Sequence, residues 1–266
     1  MSGLTLWVDG VGLLGPGLPS WAASLDVLRG ITPCVTAPTL LPAPARLPPA
    51  ERRRAGAAVK LALAVADEAV AQSQVDPARL ATVFTSSSGE GTNCHVLCET
   101  LATSAPMVSP TRFTNSVHNA PAGCWHIAVG SRASSTSLCA FDGSFGAGLI
   151  EAATSVRLSR QPMLLVASDS PYPEPLNAVR PLPDHFGLAL LLAPVAGPRS
   201  LASITIEIVD ADHAPTTCDD AALDALRRVI PAAAALPLLV ALAQRDGPRE
   251  VVLGGNAAMR LRVDLA

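Results

Sequence analysis

A layered α/β fold is what this sequence predicts, on three observations. Short apolar strands alternate with helices along its length. A strand of mainly small residues over Ser134–Phe141 feeds a helix through a tight Asp142-Gly143-Ser144 turn, with apolar positions Phe145, Leu149, Ile150, Ala153 and Val156 following. A long alanine-rich helix over Ala50–Ser73 is apolar on most of its sides, as a helix sandwiched between layers is. The 266 residues suffice for one large core, and neither a linker nor an internal repeat divides them, so residues 1–266 are expected to form one domain.

In chain order, Leu4–Val8 reads as the first strand. Ser20–Arg29 reads as a short helix with Ser20 as its cap, and the proline-rich Thr32–Pro49 as an irregular excursion. The long helix is interrupted in polarity only by Lys60 and Asp67-Glu68 and ends at Asp76-Pro77. Leu80–Thr85 is then a buried strand and Cys94–Thr103 a helix. Trp125–Gly130 fits a helix or an extended segment equally well. Met163–Ser168 and Gly187–Leu192 are strands, separated by a loop over Ser170–Asp184 that holds five prolines and a Tyr172 expected at the surface. Ser203–Val209 sets Ile204, Ile206 and Ile208 against Thr205 and Glu207, the period of a half-exposed strand. Ala221–Val229 is an amphipathic helix, and Pro231–Ala243 a helix kinked at Pro237. Val251–Leu253 and Met259–Leu265 close the chain as a hairpin.

Composition excludes several functions. A net charge of −3 leaves no basic footprint for nucleic acid. No uncharged apolar stretch reaches the roughly 18–20 residues of a membrane helix. The six cysteines show no disulfide-framework spacing and fit a reducing cytoplasm, and the N-terminus shows no signal pattern, so a cytoplasmic protein is expected. Cys94 and Cys98 lie four apart without a second ligand pair nearby, which argues against a metal. Neither metal nor cofactor is expected. With 49% apolar and only 15% charged residues, part of the surface is expected to be covered by a partner.

The strand–turn–helix at Asp142 is a geometry in which enzymes present a nucleophile, because unpaired N–H groups at a helix start favour negative charge. The region resembles the active-site segment of β-ketoacyl synthases, the condensing enzymes of fatty-acid and polyketide assembly, which have a thiolase-like fold. The matching residues are Val108-Ser109-Pro110, Asn119 with Ala122-Gly123, and the strand, turn and helix ending at Glu151-Ala152. Further blocks fit in order. Val8–Leu14 resembles the family's opening strand and glycine turn, Val83–Gly91 a core strand and its small-residue loop, and Met163–Ser168 with Gly187–Leu192 two later strands. The likeness covers roughly residues 5–195, the first half of the thiolase-like fold, with a reduced C-terminal part over 200–266.

Aligned this way, the family's nucleophilic cysteine falls on Asp142. The second departure is as large: the family's two catalytic histidines have no counterpart, because His213 is followed by Ala214-Pro215 and no histidine comes after it. Gly254-Gly255-Asn256 is the only trace of a C-terminal signature. Condensation needs a thiolate to carry the acyl chain and histidines to stabilise the enolate, so this chain is not expected to condense anything alone.

Asp142 is expected first to cap its helix and, by the resemblance, to take the nucleophile's place at the end of an acyl tunnel. A nucleophilic or acid–base pair with His118 is the further reading. Cys139 is expected as a small buried residue, and His118 as satisfied by backbone, with Asn119 beside it in a loop that the resemblance places at a dimer seam. Phe141 and Phe145 flank the turn as core residues, Phe145 also as a pocket wall. His126 reads as packing, and Ser86-Ser87-Ser88-Gly89 as a strand-end turn.

Ser-Val-His-Asn-Ala-Pro-Ala-Gly in so short a chain looks like the chain-length-factor proteins of aryl-polyene pathways. The resemblance therefore implies a non-catalytic partner in a heterodimer with a cysteine-bearing β-ketoacyl synthase, meeting acyl carrier protein indirectly. The dimer surface would run over Val129–Phe141. The alternatives are an acyl transferase or hydrolase of thiolase fold using Asp142 with His118, and a homodimeric acyl-binding scaffold.

Overall fold

Met163–Asp169 and Phe186–Ala193 are buried at every position, which a strand achieves only when both faces of its sheet are covered. The computed structural model, which describes residues 3–209, 212–245, 247–254 and 260–265, shows how. Eight strands form one sheet: β1 (Leu4–Leu14), β2 (Ala81–Thr85), β3 (Ser135–Leu138), β4 (Met163–Asp169), β5 (Phe186–Ala193), β6 (Ala202–Val209), β7 (Arg249–Leu253) and β8 (Arg260–Leu265), in the order β3-β2-β4-β5-β1-β6-β8-β7. β2 runs parallel to both β3 and β4, and the remaining pairings are antiparallel.

The helices are α1 (Leu25–Leu28), α2 (Pro49–Arg54), α3 (Ala57–Ala71), α4 (Gly91–Leu101), α5 (Pro110–Asn115), α6 (Ala120–Val129), α7 (Ser144–Ser159), α8 (Leu176–Val179), α9 (Ala221–Val229) and α10 (Leu236–Gln244). Side chains alternate between faces along a strand, and the core divides accordingly. Leu164, Val166, Ala189 and Leu191 pack with α3 and Trp125 of α6. Leu165, Ala167, Leu188, Leu190 and Leu192 pack with α7 and α10. Helices thus cover both faces, the layered α/β arrangement expected.

The close approach of α3 to β1 corrects the expected glycine turn. β1 continues through Gly10 and Gly12 to Leu14, with a register shift between Val8 and Gly10. A Cβ on Gly10 would lie 2.2 Å from the Ala69 carbonyl oxygen, and one on Gly12 would lie 1.9 Å from that of Val65. The glycines are there because the helix backbone crosses the strand. Glu68 accepts from the Leu13 N–H at 2.9 Å, and Gln72 brackets Val11, accepting from its N–H and donating to its carbonyl.

Other boundaries also differ. The long helix is two, broken at Ala55-Gly56, where the backbone turns extended. Trp21 rather than Ser20 stands at the N-cap of the short 3-10 turn Ala22–Ser24, though the Ser20 Oγ accepts from the Ala23 N–H at 3.1 Å. Ala120–Val129 is helical, which resolves the Trp125 segment, and its C-terminus closes on left-handed Gly130. Pro237 falls in the first turn of α10, after a 3-10 turn at Pro231–Ala235, where its missing N–H costs nothing; there is no mid-helix kink. Tyr172 is buried, contrary to expectation, and the proline-rich segment around it carries the short α8. Ile204 and Ile206 of β6 are buried while Ile208 is exposed. The closing hairpin pairs Val251 with Val263; Gly255, Asn256 and Met259 lie outside the described residues.

Candidate functional site

Three strand ends converge on one side of the sheet, because β2, β3 and β4 are parallel and the loops that leave them must emerge together. The loop after β2 is built around the carboxylate that ends β4. Asp169 is 2% exposed. Its Oδ1 accepts from the Ser87 N–H (2.8 Å), the Ser87 hydroxyl (2.7 Å) and the Ser86 hydroxyl (3.2 Å). Its Oδ2 accepts from the Ala232 N–H at 2.8 Å, tying the segment before α10 to the same point. Burial pushes the Asp169 carboxyl above the usual carboxylate range, against the pull of those donors. Sequence reading alone missed this residue. The only trace of it in the sequence is Ser86-Ser87, the two hydroxyls that donate to it.

The loop after β3 holds Asp142. β3 is shorter than expected, and Phe141–Gly143 forms a 3-10 turn that runs into α7. Neither the turn nor α7 has a side-chain cap, and Ser144, the first residue of α7, ties the turn instead. Its Oγ accepts from the Ala140 N–H at 3.0 Å and donates to the Phe141 carbonyl at 2.7 Å. The Thr85 hydroxyl of β2 donates to the Ser144 carbonyl at 2.8 Å. α7 sits so close to β2 that a Cβ on Gly148 would lie 2.8 Å from Thr85 Cγ2. The expected capping role of Asp142 is therefore not what the structure shows. Its carboxylate turns away and accepts from Arg180 Nη2 at 2.6 Å.

Phe141 departs furthest from expectation. It is 56% exposed rather than core, its φ is +53°, and the Arg180 guanidinium lies 3.5 Å from its ring centroid. Phe145, in contrast, on the first turn of α7, is buried in the core as expected. Arg180 also lies 5.7 Å from the ring of Tyr172, whose hydroxyl is 3.3 Å from the Ser87 hydroxyl. The proline-rich segment thus places an arginine directly on the Asp142 turn.

Of the remaining candidates, Cys139 and His118 both contact the Ser86–Gly89 loop. Cys139 is exposed rather than buried, and its thiol donates to the Ser87 carbonyl at 3.0 Å. His118 is not satisfied by backbone: its Nε2 is buried without a hydrogen-bond partner, and its ring packs beside Gly89. Asn119 is exposed and precedes α6, where its carbonyl accepts from the Gly123 N–H at 2.9 Å. His126 lies 3.3 Å from Thr82 Oγ1, and burial holds its imidazole below the ordinary histidine range. Among the described residues no hydrogen bond joins Asp142 to His118, no cluster of three or more His, Cys, Asp or Glu could hold a metal, and no helix is long and apolar enough to cross a membrane.

An aspartate, Asp142, stands at the start of a buried helix, on the loop after a strand parallel to its neighbour. The sequence profile of the β-ketoacyl synthase N-terminal domain matches residues 32–235. The chain belongs to the β-ketoacyl synthase family. Solved ketosynthase structures share its fold. A chain of the ketosynthase ApeO in complex with its chain length factor ApeC from Xenorhabdus doucetiae superposes with a TM-score of 0.73 at 23% identity, covering 99% of each chain. A chain of the ishigamide ketosynthase/chain length factor gives 0.75 at 15% identity, covering 98% of this β-ketoacyl synthase-like chain and 99% of the other. The AntDE:AntF complex, a type II polyketide synthase acyl-carrier protein with its ketosynthase bound to the hexaketide, gives 0.73 at 12%, covering 100% and 99%. No curated protein matches by sequence. At these identities the likenesses establish the ketosynthase fold.

Proposed function

We propose that this chain is a non-catalytic, chain-length-factor-like partner of a cysteine-bearing β-ketoacyl-[acyl carrier protein] synthase in type II fatty-acid or polyketide biosynthesis of the aryl-polyene kind, with residues 1–266 acting as one β-ketoacyl synthase-like domain. The reading is carried by Asp142, the residue on which the family resemblance puts the nucleophile, with its carboxylate engaged by Arg180. The Arg180 guanidinium donates to one oxygen of that carboxylate, and no hydrogen bond joins it to His118 among the described residues. The two histidines that stabilise the enolate in the condensing enzymes this chain resembles have no counterpart after His213.

Support for a partner comes from the surface. β3 is the outermost strand of the sheet and its first two residues are exposed. An open edge of this kind invites pairing with another chain. Ile127 (54% exposed) and Phe141 lie on the segments next to β3 in the chain, and Val117 (47%) precedes α6. Asp142, Phe141, His118, Asn119 and Cys139 would line this interface, with Phe145 behind it as the pocket wall. The ApeO–ApeC and ishigamide structures are of ketosynthases with chain length factors, and the same pairing is proposed for this chain. Acyl carrier protein is met through the catalytic subunit. The Asp142–His118 hydrolase reading has no geometric support, since Arg180 holds Asp142.

Purification of the chain alone and with its cognate synthase tests the assignment. A stable heterodimer whose product length depends on this chain is expected. A monodisperse monomer that never associates, beside a synthase of unchanged activity and product length, overturns it. A stable self-pair that ignores the synthase would identify a homodimeric scaffold instead.

A further inference from the structure

Phe141 combines three properties that no packing requirement of this chain accounts for. It is a large apolar side chain more than half exposed. It adopts a left-handed backbone, φ +53°, that costs a residue bearing a Cβ stability which glycine would not lose. It is held there from two directions. Ser144 fixes its carbonyl at 2.7 Å, while the Arg180 guanidinium stacks 3.5 Å from its ring and is itself fixed by Asp142 at 2.6 Å.

The segment that delivers Arg180 is anchored at several points. Asn177 Oδ1 accepts from the Leu182 N–H at 3.1 Å, Asp184 Oδ2 accepts from the Thr39 N–H at 2.9 Å, and Tyr172 and Leu182 are buried. Strain maintained by so many contacts belongs where a side chain must point in one direction. The direction here is outward, three residues past the open β3 edge. Exposed aromatic side chains that are rigid before binding are the typical anchors of protein interfaces, because ordering them costs little on association.

We propose that Phe141 is the anchor this chain inserts into the catalytic synthase subunit, and that Arg180, fixed by Asp142, is the positioning residue that holds its ring outward. The inference rests on the partner reading above and adds to it the residue that recognises the synthase. It also gives Asp142 a use: at the nucleophile's place, a carboxylate orients Arg180.

The test measures the Kd of the purified synthase for the wild-type chain and for Phe141→Gly, Phe141→Leu, Arg180→Ala, Arg180→Lys and Asp142→Asn, alongside the melting temperature of each isolated chain. Phe141→Gly relieves the left-handed backbone while removing the ring. Its melting temperature is expected within about 4 °C of wild type, with Kd at least about 30-fold weaker, the 2 kcal/mol scale of an interface anchor. Phe141→Leu keeps an apolar side chain and falls between the two. Arg180→Ala and Asp142→Asn weaken association without unfolding the chain, and Arg180→Lys recovers part of the loss, a rescue that general destabilisation would not produce. A wild-type pair that forms while Phe141→Gly binds within about threefold of it overturns this inference and leaves the partner role standing. A wild-type chain that binds no synthase overturns both.

Discussion

Ser144→Ala is the substitution that most directly probes how the Asp142 turn is held. Ser144 is 2% exposed, and its hydroxyl makes two bonds at once, accepting from the Ala140 N–H at 3.0 Å and donating to the Phe141 carbonyl at 2.7 Å. Alanine removes both and changes little volume. Each such bond contributes about 0.5–1.5 kcal/mol net, so the variant should lose about 2 kcal/mol. Part of that loss is offset if Phe141 relaxes out of its left-handed conformation, which costs about 1–2 kcal/mol in a residue bearing a Cβ. The expected net is about 1–2 kcal/mol, a fall in melting temperature of roughly 2–8 °C for a chain of this size. Amide hydrogen exchange supplies the local readout, since the Ala140 amide should be protected in the wild type and exchange much faster in the variant. An unchanged melting temperature together with a still-protected Ala140 amide would refute the reasoning, because something other than Ser144 would then be holding the turn.

Asp142→Cys should not create a condensing enzyme: with no histidine downstream of His213, the isolated variant is expected to form no β-ketoacyl product in a carrier-protein condensation assay. Gly12→Ala would force a Cβ to within 1.9 Å of the Val65 carbonyl oxygen, and chemical denaturation should show a loss of about 3 kcal/mol or more or failure to fold, beyond ordinary overpacking because the obstacle is backbone. Asp220 accepts from the N–H groups of Ala222, Leu223 and Cys34. Burial raises its carboxyl pKa, but those three donors outweigh it and hold the group below its usual range. The stability it contributes is therefore present above the unfolded pKa near 4 and lost as pH falls through the depressed value. Asp220→Ala should cost about 1–2 kcal/mol at neutral pH, and the gap to wild type should close below about pH 4 in acid-unfolding curves.

Much of the fold was legible because burial imposes period on sequence. β4 and β5 are continuous apolar runs, α7 and α9 show helical spacing, and β6 alternates over Ile204 and Ile206; each stands close to where its pattern put it. What escaped depends on contacts between distant residues or on backbone that leaves no mark on composition. Gly10 and Gly12 read as a turn, and only the crossing of α3 shows that their role is close approach. Nothing near Asp142 announces that its partner lies 38 residues away on a proline-rich segment, so an N-cap was the natural local reading. Phe141 looked like core because aromatic residues at strand ends usually are, and its positive φ can be seen only in three dimensions. Tyr172 was misplaced for the complementary reason: proline-rich segments suggest surface, yet this one lies folded against Ser87 and Arg180.

In the proposed assembly, acyl chemistry belongs to the other subunit. Intact-mass analysis of both polypeptides after incubation with an acyl-carrier-protein thioester, separately and as a pair, tests it directly. The acyl mass should appear on the synthase alone, and the chain bearing Asp142 should keep its unmodified mass throughout. A stable acyl adduct on this chain in the absence of the synthase would contradict the account.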